Sequence, residues 1–217
     1  MKYNLIRTLS ALAVITMQLS TINSAWALNA SAVKGASTSA SAKTAENAED
    51  VTLATLTNYQ VNSQSMVSSG LPAAEHFQLL KDDGVTMVID LIPGDRLPEQ
   101  QIVEALSLNY HNIQVEWEQP TLANFKQYTG FMNQANIDDD KVLTHCKLNW
   151  RGAVFTYLYR ITALGESELS AKKDLLAIWQ PNQTWFAFMN MVIADFNEGN
   201  NTHVATTVTP QIEPVPQ

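Results

Sequence analysis

Cys146 is the only cysteine in the chain; His145 stands directly before it, and Arg151 follows after Lys147, Leu148, Asn149 and Trp150. A thiol reacts as its thiolate, and unpaired backbone N–H groups at a helix N-terminus, with the positive end of the helix dipole, favour that form. The order of residues offers this setting. The run KVLT at 141–144 forms a strand, HCKLNWRG is a tight loop, and AVFTYLYR from Ala153 is an apolar helical pattern. Arg151 at the head of that helix adds a planar fork of donors matched to two oxygens of a phosphate or sulfate. His145 can donate to nearby carbonyls and fix the loop, or simply pack at the strand end, and Trp150 reads as a pocket wall.

If the thiolate attacks phosphorus, the leaving oxygen needs a proton from a separate loop facing the cysteine. Glu116 and Glu118, on either side of Trp117 and ahead of Pro120, are the candidates. Glu118 is favoured because Glu116 still follows strand geometry, while two solvated surface carboxylates are the plain alternative. A buried structural thiol is the ordinary role of a lone cysteine. An oxidising compartment makes such a thiol a liability, and its place at a strand-to-helix turn argues for chemistry.

The surrounding pattern is that of a scaffold for this loop. Residues 58–61 and 66–68 read as a small hairpin or edge strands, with the break Ser69-Gly70-Leu71-Pro72 opening a helix over 73–81. The β-branched run 85–91 suits a central strand covered on both faces. A helix follows over 98–108, with Ile102, Val103 and Leu106 on its buried stripe, then a strand over 110–115 and a helix over 121–134. The acidic turn 138–140 leads into the strand 141–144, and helices over 152–164, 168–179 and 184–197 complete the pattern. Strands alternating with helices imply an α/β fold, a three-layer arrangement with a mostly parallel sheet flanked by helices and a helical C-terminal part. Loops 92–97, 116–120 and 146–151 then converge at the carboxyl ends of the strands, where such sheets place their sites.

The ends of the chain differ from its middle. Lys2 and Arg7, an apolar segment at 9–19 and Ala25-Trp26-Ala27 read as a signal peptide over 1–27, too short in its apolar part to span a bilayer. Export, with a bacterial periplasm as the compartment, is the expectation. Residues 28–50 are Ala-, Ser- and Thr-rich and read as a disordered linker, 51–199 as the folded domain, and 200–217 as a flexible tail. The formal charge is −8, and loss of Lys2 and Arg7 with the leader brings it to about −10. That balance, without a basic patch, speaks against nucleic acid or an anionic membrane surface as partner. His76, His111, His145 and His203 share no ligand spacing, so no metal is expected. Oligomeric state is not legible.

His145-Cys146 with Arg151 at a helix head resembles the signature of cysteine-dependent protein tyrosine and dual-specificity phosphatases. The resemblance extends to Ser69-Gly70-Leu71-Pro72, the runs 88–91 and 110–115, Trp117, Pro120-Thr121, Asn149, Phe155, 158–160, and Ile178-Trp179 with Pro181. It covers about 57–196 and looks like a bacterial branch with a short Cys-x4-Arg loop. The resemblance implies a phosphotyrosine protein phosphatase-like fold with Cys146 as nucleophile, forming a phosphocysteine. Arg151 and the loop formed by His145, Lys147, Leu148, Asn149, Trp150 and Gly152 would bind phosphate, and a carboxylate from 116–118 would act as acid, then base. The partner implied is a phosphorylated protein or small molecule, without a cofactor.

The sequence departs from the family pattern at four points. The usual signature has five residues between cysteine and arginine, where this loop has four. Asn149 stands at the usual mid-loop glycine, Gly152 at the usual Ser or Thr after the arginine, and glutamates stand where the acid is usually aspartate. Two rivals accompany the phosphatase reading. Rhodanese-like sulfurtransferases resemble this chain in their six-residue cysteine loop, which carries a persulfide, and a non-catalytic module would use the same loop only to bind phosphorylated groups.

Overall fold

The computed structural model describes residues 51–137 and 140–212. The expected leader and linker lie outside them, as do Asp138 and Asp139 of the acidic turn. Among the described residues the elements run β1 (Gln60–Val61), β2 (Met66–Ser69), α1 (Ala74–Asp82), β3 (Val85–Asp90), α2 (Leu97–Ala105), β4 (Asn109–Asn112), α3 (Leu122–Ile137), β5 (Lys141–His145), α4 (Trp150–Thr162), α5 (Glu168–Ile178) and α6 (Gln183–Asn200). Five strands form one sheet in the order β1-β2-β5-β3-β4, with β1 antiparallel to β2 and the remaining pairs parallel. β5, the strand that leads into Cys146, therefore lies at the centre.

Period-two alternation divides the strand side chains between two apolar layers. Val67 of β2, Val85 and Val88 of β3 and Leu143 of β5 pack with Phe77, Leu80 and Val103 of α1 and α2. Met66, Met87, Ile89 and Val142 face the other way, into a larger core with Phe125 and Tyr128 of α3, Phe155 and Leu158 of α4, and Trp185 and Phe188 of α6. Burial of each such large side chain contributes about 1.5–3 kcal/mol of transfer free energy, so both layers hold the sheet. No helix among the described residues is long and apolar enough to cross a membrane.

The element boundaries fall close to those the sequence predicts, with instructive differences. β4 ends at Asn112 rather than near Val115, because side chains take over the pairing: Nδ2 of Asn112 donates to the carbonyls of Asp90 and Ile92, and Oε1 of Gln114 accepts from the amide of Gly94. Ile102, expected inside, is 38 % exposed, whereas Glu99 on the same helix is 8 % exposed. The buried stripe of α2 is partly polar. The segment expected as a flexible tail is docked over 203–211. Thr206 Oγ1 accepts from Tyr157 Oη, the Thr207 amide donates to Glu168, the Gln211 amide donates to the Pro181 carbonyl, and Val208 is buried.

Candidate active site

The alternation along β5 decides what the loop presents. Val142, Thr144 and Cys146 point to the α3/α4 side, with Tyr128 Oη 3.0 Å from Thr144 Oγ1. Leu143 and His145 point to the α1/α2 side, where the His145 ring meets Phe77 edge-on. Cys146 lies 1 % exposed at the base of an open pocket of about 230 Å³ lined by Trp117, Cys146, Lys147, Leu148, Trp150 and Arg151. The first turn of α4 begins four residues later, and its leading amides have no intrahelical acceptors. A partly enclosed thiol, a helix N-terminus and a guanidinium therefore meet at one concavity, which suits an oxyanion.

Arg151 is held by the segment that follows β4. Its Nε donates to the Val115 carbonyl at 2.9 Å, and its guanidinium carbon lies 5.4 Å from the centre of the Trp117 ring, within cation–π range. An oxyanion is thus left to the terminal nitrogens of the fork. Trp117 packs against Trp150, Trp179 and Trp185, and Trp179 stacks on Trp150 while its Nε1 donates to the Trp150 carbonyl at 2.9 Å. Trp185 and Phe188 are buried in the core, and Trp179 also supports the pocket wall.

The clamp on the loop comes from its other side. Gly70 donates to the Thr57 carbonyl at 2.6 Å, and an added Cβ there would lie 2.8 Å from Thr57 Cβ, so only glycine allows this approach. Leu71 donates to the Lys147 carbonyl, and Gly70 forms an isolated bridge with Leu148. Asn149 takes the left-handed conformation, φ 62°, consistent with its tolerance for that region.

Several residues expected at the site stand elsewhere. His145 is fully buried on the opposite face of the sheet and does not line the pocket. Asn149 and Gly152 are buried behind the loop rather than open to the pocket. Glu116 and Glu118 are both exposed and neither lines it; the residue this loop contributes is Trp117 between them.

Sequence reasoning missed a buried charged group beneath the loop. Asp90, at the end of β3, accepts from Arg96 Nε at 2.5 Å, from Tyr110 Oη at 2.8 Å and from the Ile92 amide at 2.8 Å. Arg96 also pairs with Glu99 at 2.5 Å. His145 Nε2 lies 3.0 Å from Glu99 Oε1 and 3.9 Å from Asp90 Oδ1, an electrostatic contact in which neither ring nitrogen meets hydrogen-bond alignment. Burial alone would raise the Glu99 carboxyl, but His145 and Arg96 outweigh it and hold the group below its ordinary value. Burial and the Asp90 carboxylate push the Tyr110 phenol far up. Asp90, Glu99 and His145 offer ligand atoms within 4.8 Å of one another, a spacing that suits a cation, and the Arg96 guanidinium supplies that positive charge. The signal for this cluster was the lone carboxylate ending the apolar run VTMVID.

Neither a protein-family model nor a curated protein matches the chain. Solved structures do. A candidate phosphatase of the DUF442 group from Shewanella putrefaciens CN-32 superposes with a TM-score of 0.58 at 27 % identity, over 66 % of this chain and 96 % of that one. This chain has the fold of the cysteine-dependent tyrosine and dual-specificity phosphatase superfamily. Two more distant members of the superfamily share that fold. They are P. aeruginosa TpbA (TM-score 0.54, 19 % identity, 67 % of this chain and 92 % of that one) and the core catalytic domain of SIW14 from S. cerevisiae (TM-score 0.54, 14 % identity, 66 % and 93 %). The shared fold covers about two thirds of this chain, whose central strand β5 leads into Cys146.

Proposed function

We propose that this phosphatase-fold chain is an exported hydrolase of phosphomonoesters, of tyrosine or dual-specificity type. The observation that carries this reading is the meeting of Cys146, the α4 N-terminus and Arg151 at one open pocket. Cys146 Sγ attacks phosphorus, forming the S–P bond as the P–O bond to the leaving group breaks. A carboxylic acid of the 116–118 loop, Glu118 before Glu116, gives its proton to the departing oxygen. The resulting carboxylate then takes a proton from water, which attacks phosphorus and releases phosphate and the thiolate. Arg151 and the loop amides hold the phosphoryl oxygens.

Relatives of the fold support a phosphorylated ligand. A TpbA variant was solved with phosphotyrosine, PTPMT1 with PI(5)P, and SIW14 is a PP-IP phosphatase. Trp117 and Trp150 at the walls make an aryl phosphate the appropriate first substrate. Export is inferred from the pattern of residues 1–27.

The test is phosphate release from an aryl phosphate by the chain without residues 1–27, run beside sulfur transfer from thiosulfate to cyanide. Release of phosphate without sulfur transfer supports the reading. Sulfur transfer alone, or phosphate binding with neither activity, overturns it. Glu118→Gln should lower kcat on a poor leaving group by about 10²-fold, more than Glu116→Gln does, with a smaller loss on a good leaving group. Equal losses from the two variants on both substrates would remove the acid role from Glu118.

A further inference from the structure

Two departures from the family pattern, Asn149 and Gly152, meet in space. The Asn149 side chain is fully buried; its Nδ2 donates to the Asn58 carbonyl at 2.8 Å and to Ser68 Oγ at 3.0 Å. Asn58 answers with its own Nδ2, which donates to the Leu148 carbonyl at 2.9 Å, so the loop and the segment before β1 clasp each other twice. The other end of the Asn149 amide, Oδ1, has no partner among the described residues. It points at position 152: a Cβ built on Gly152 would lie 2.5 Å from Oδ1, closer than real contacts allow. Thr144 O, at 3.5 Å from the same point, closes the remaining side.

We propose that Asn149 and Gly152 form one coupled lock, in which the buried Asn149 amide fills the space a residue-152 side chain would need and so positions Leu148, Trp150 and Arg151 around Cys146. Asn149 is a positioning residue and does not touch the substrate. The physical reason lies in the length of the loop. With four residues between Cys146 and Arg151, the chain must turn back toward β2 within the loop, and the left-handed backbone at Asn149 makes that turn. The amide then ties the turn to Asn58 and Ser68, which glycine cannot do. Burying an unpaired acceptor is costly, and a site that retains one gains something by it. Here the gain is fixed geometry on both sides of the turn. A side chain at 152 and the Asn149 amide exclude each other, so the two positions must change together.

The experiment is a double-substitution cycle of Asn149→Gly, Gly152→Ser and the pair, in the chain without residues 1–27. It uses three readouts: melting temperature, affinity for inorganic phosphate, and kcat with KM on an aryl phosphate. Gly152→Ser alone should lower the melting temperature and reduce kcat on the order of 10²-fold, because the clash displaces the loop. Asn149→Gly alone keeps the left-handed turn and should lower kcat about tenfold with KM little changed, as misplaced rather than missing contacts would. In the pair, Asn149→Gly should recover at least about fivefold of what Gly152→Ser lost. Should Gly152→Ser fail to fold, restoration of folding by the second substitution reads the same coupling. Losses that multiply without rescue overturn the lock, as does an Asn149→Gly effect confined to KM, which would make the side chain a direct ligand. The proposal rests on the phosphatase reading only for its kinetic readout. If the wild-type chain releases no phosphate, rescue of stability and phosphate binding still decides it.

Discussion

Replacing Cys146 with serine is expected to lower kcat/KM on an aryl phosphate by on the order of 10⁴- to 10⁶-fold while leaving the fold intact. The thiol lies 1 % exposed at the pocket base, where serine of nearly the same shape fits without a cavity. What serine lacks is an accessible anion: a hydroxyl beneath the α4 N-terminus stays protonated, and the pocket lining offers no histidine or carboxylate as its base. Binding should survive, since Arg151 and the amides of the first turn remain. Phosphate affinity within a few-fold of wild type, together with lost turnover, separates a missing nucleophile from a damaged loop. Retained turnover in Cys146→Ser would place the chemistry elsewhere.

Asp90→Ala should destabilise the domain by about 3–5 kcal/mol, the range for breaking a buried ion pair from one side. Asp90 is fully buried and accepts from Arg96, Tyr110 and the Ile92 amide, so its removal takes one partner from a guanidinium and a phenol at once and leaves both to Glu99. Tyr110→Phe, which removes a hydroxyl shared between Asp90 and Glu99 and leaves the charges paired, should cost only about 1 kcal/mol. Urea denaturation of the three proteins reads both values from their midpoints at matched slope. A loss under about 1 kcal/mol for Asp90→Ala would show that Arg96 finds other partners or water. The same group sets an acid limit through Glu99. Its folded-state pKa is lowered by His145 and Arg96 against the effect of burial, so its stabilisation is complete above the ordinary carboxylate value. That contribution is lost as pH falls through the lowered value, and the urea midpoint of Glu99→Gln should depend less on pH there than that of the wild type.

The sequence was informative where one physical rule dominates. The run 85–91 could be a strand because β-branched residues fill a doubly covered sheet, and β3 spans Val85–Asp90. Pro98 marked the start of α2, and the order strand, loop, helix around Cys146 placed the nucleophile on β5 before α4. Rules fail where polar groups replace apolar ones inside. Hydrophobic periodicity chose Ile102 for the interior of α2, yet Glu99 is buried because Arg96 and His145 await it. A composition-based reading made 200–217 loose; Val208 and the Thr206 and Thr207 contacts to Tyr157 and Glu168 anchor its described part. The loop residues were identified together but not by direction. Strand alternation sends Cys146 to the pocket and His145 away from it, and the left-handed turn at Asn149 carries its side chain behind the loop.

A loop with four residues between cysteine and arginine is expected to support a phosphocysteine. Rapid acid quenching of the chain without residues 1–27 during turnover of an aryl phosphate, followed by peptide mass analysis, tests it directly. One phosphoryl group is expected on the peptide containing Cys146, absent from Cys146→Ser. Phosphate release with Cys146 unmodified at every quench time, or a persulfide on Cys146 after thiosulfate with no phosphoryl adduct from the aryl phosphate, would contradict it.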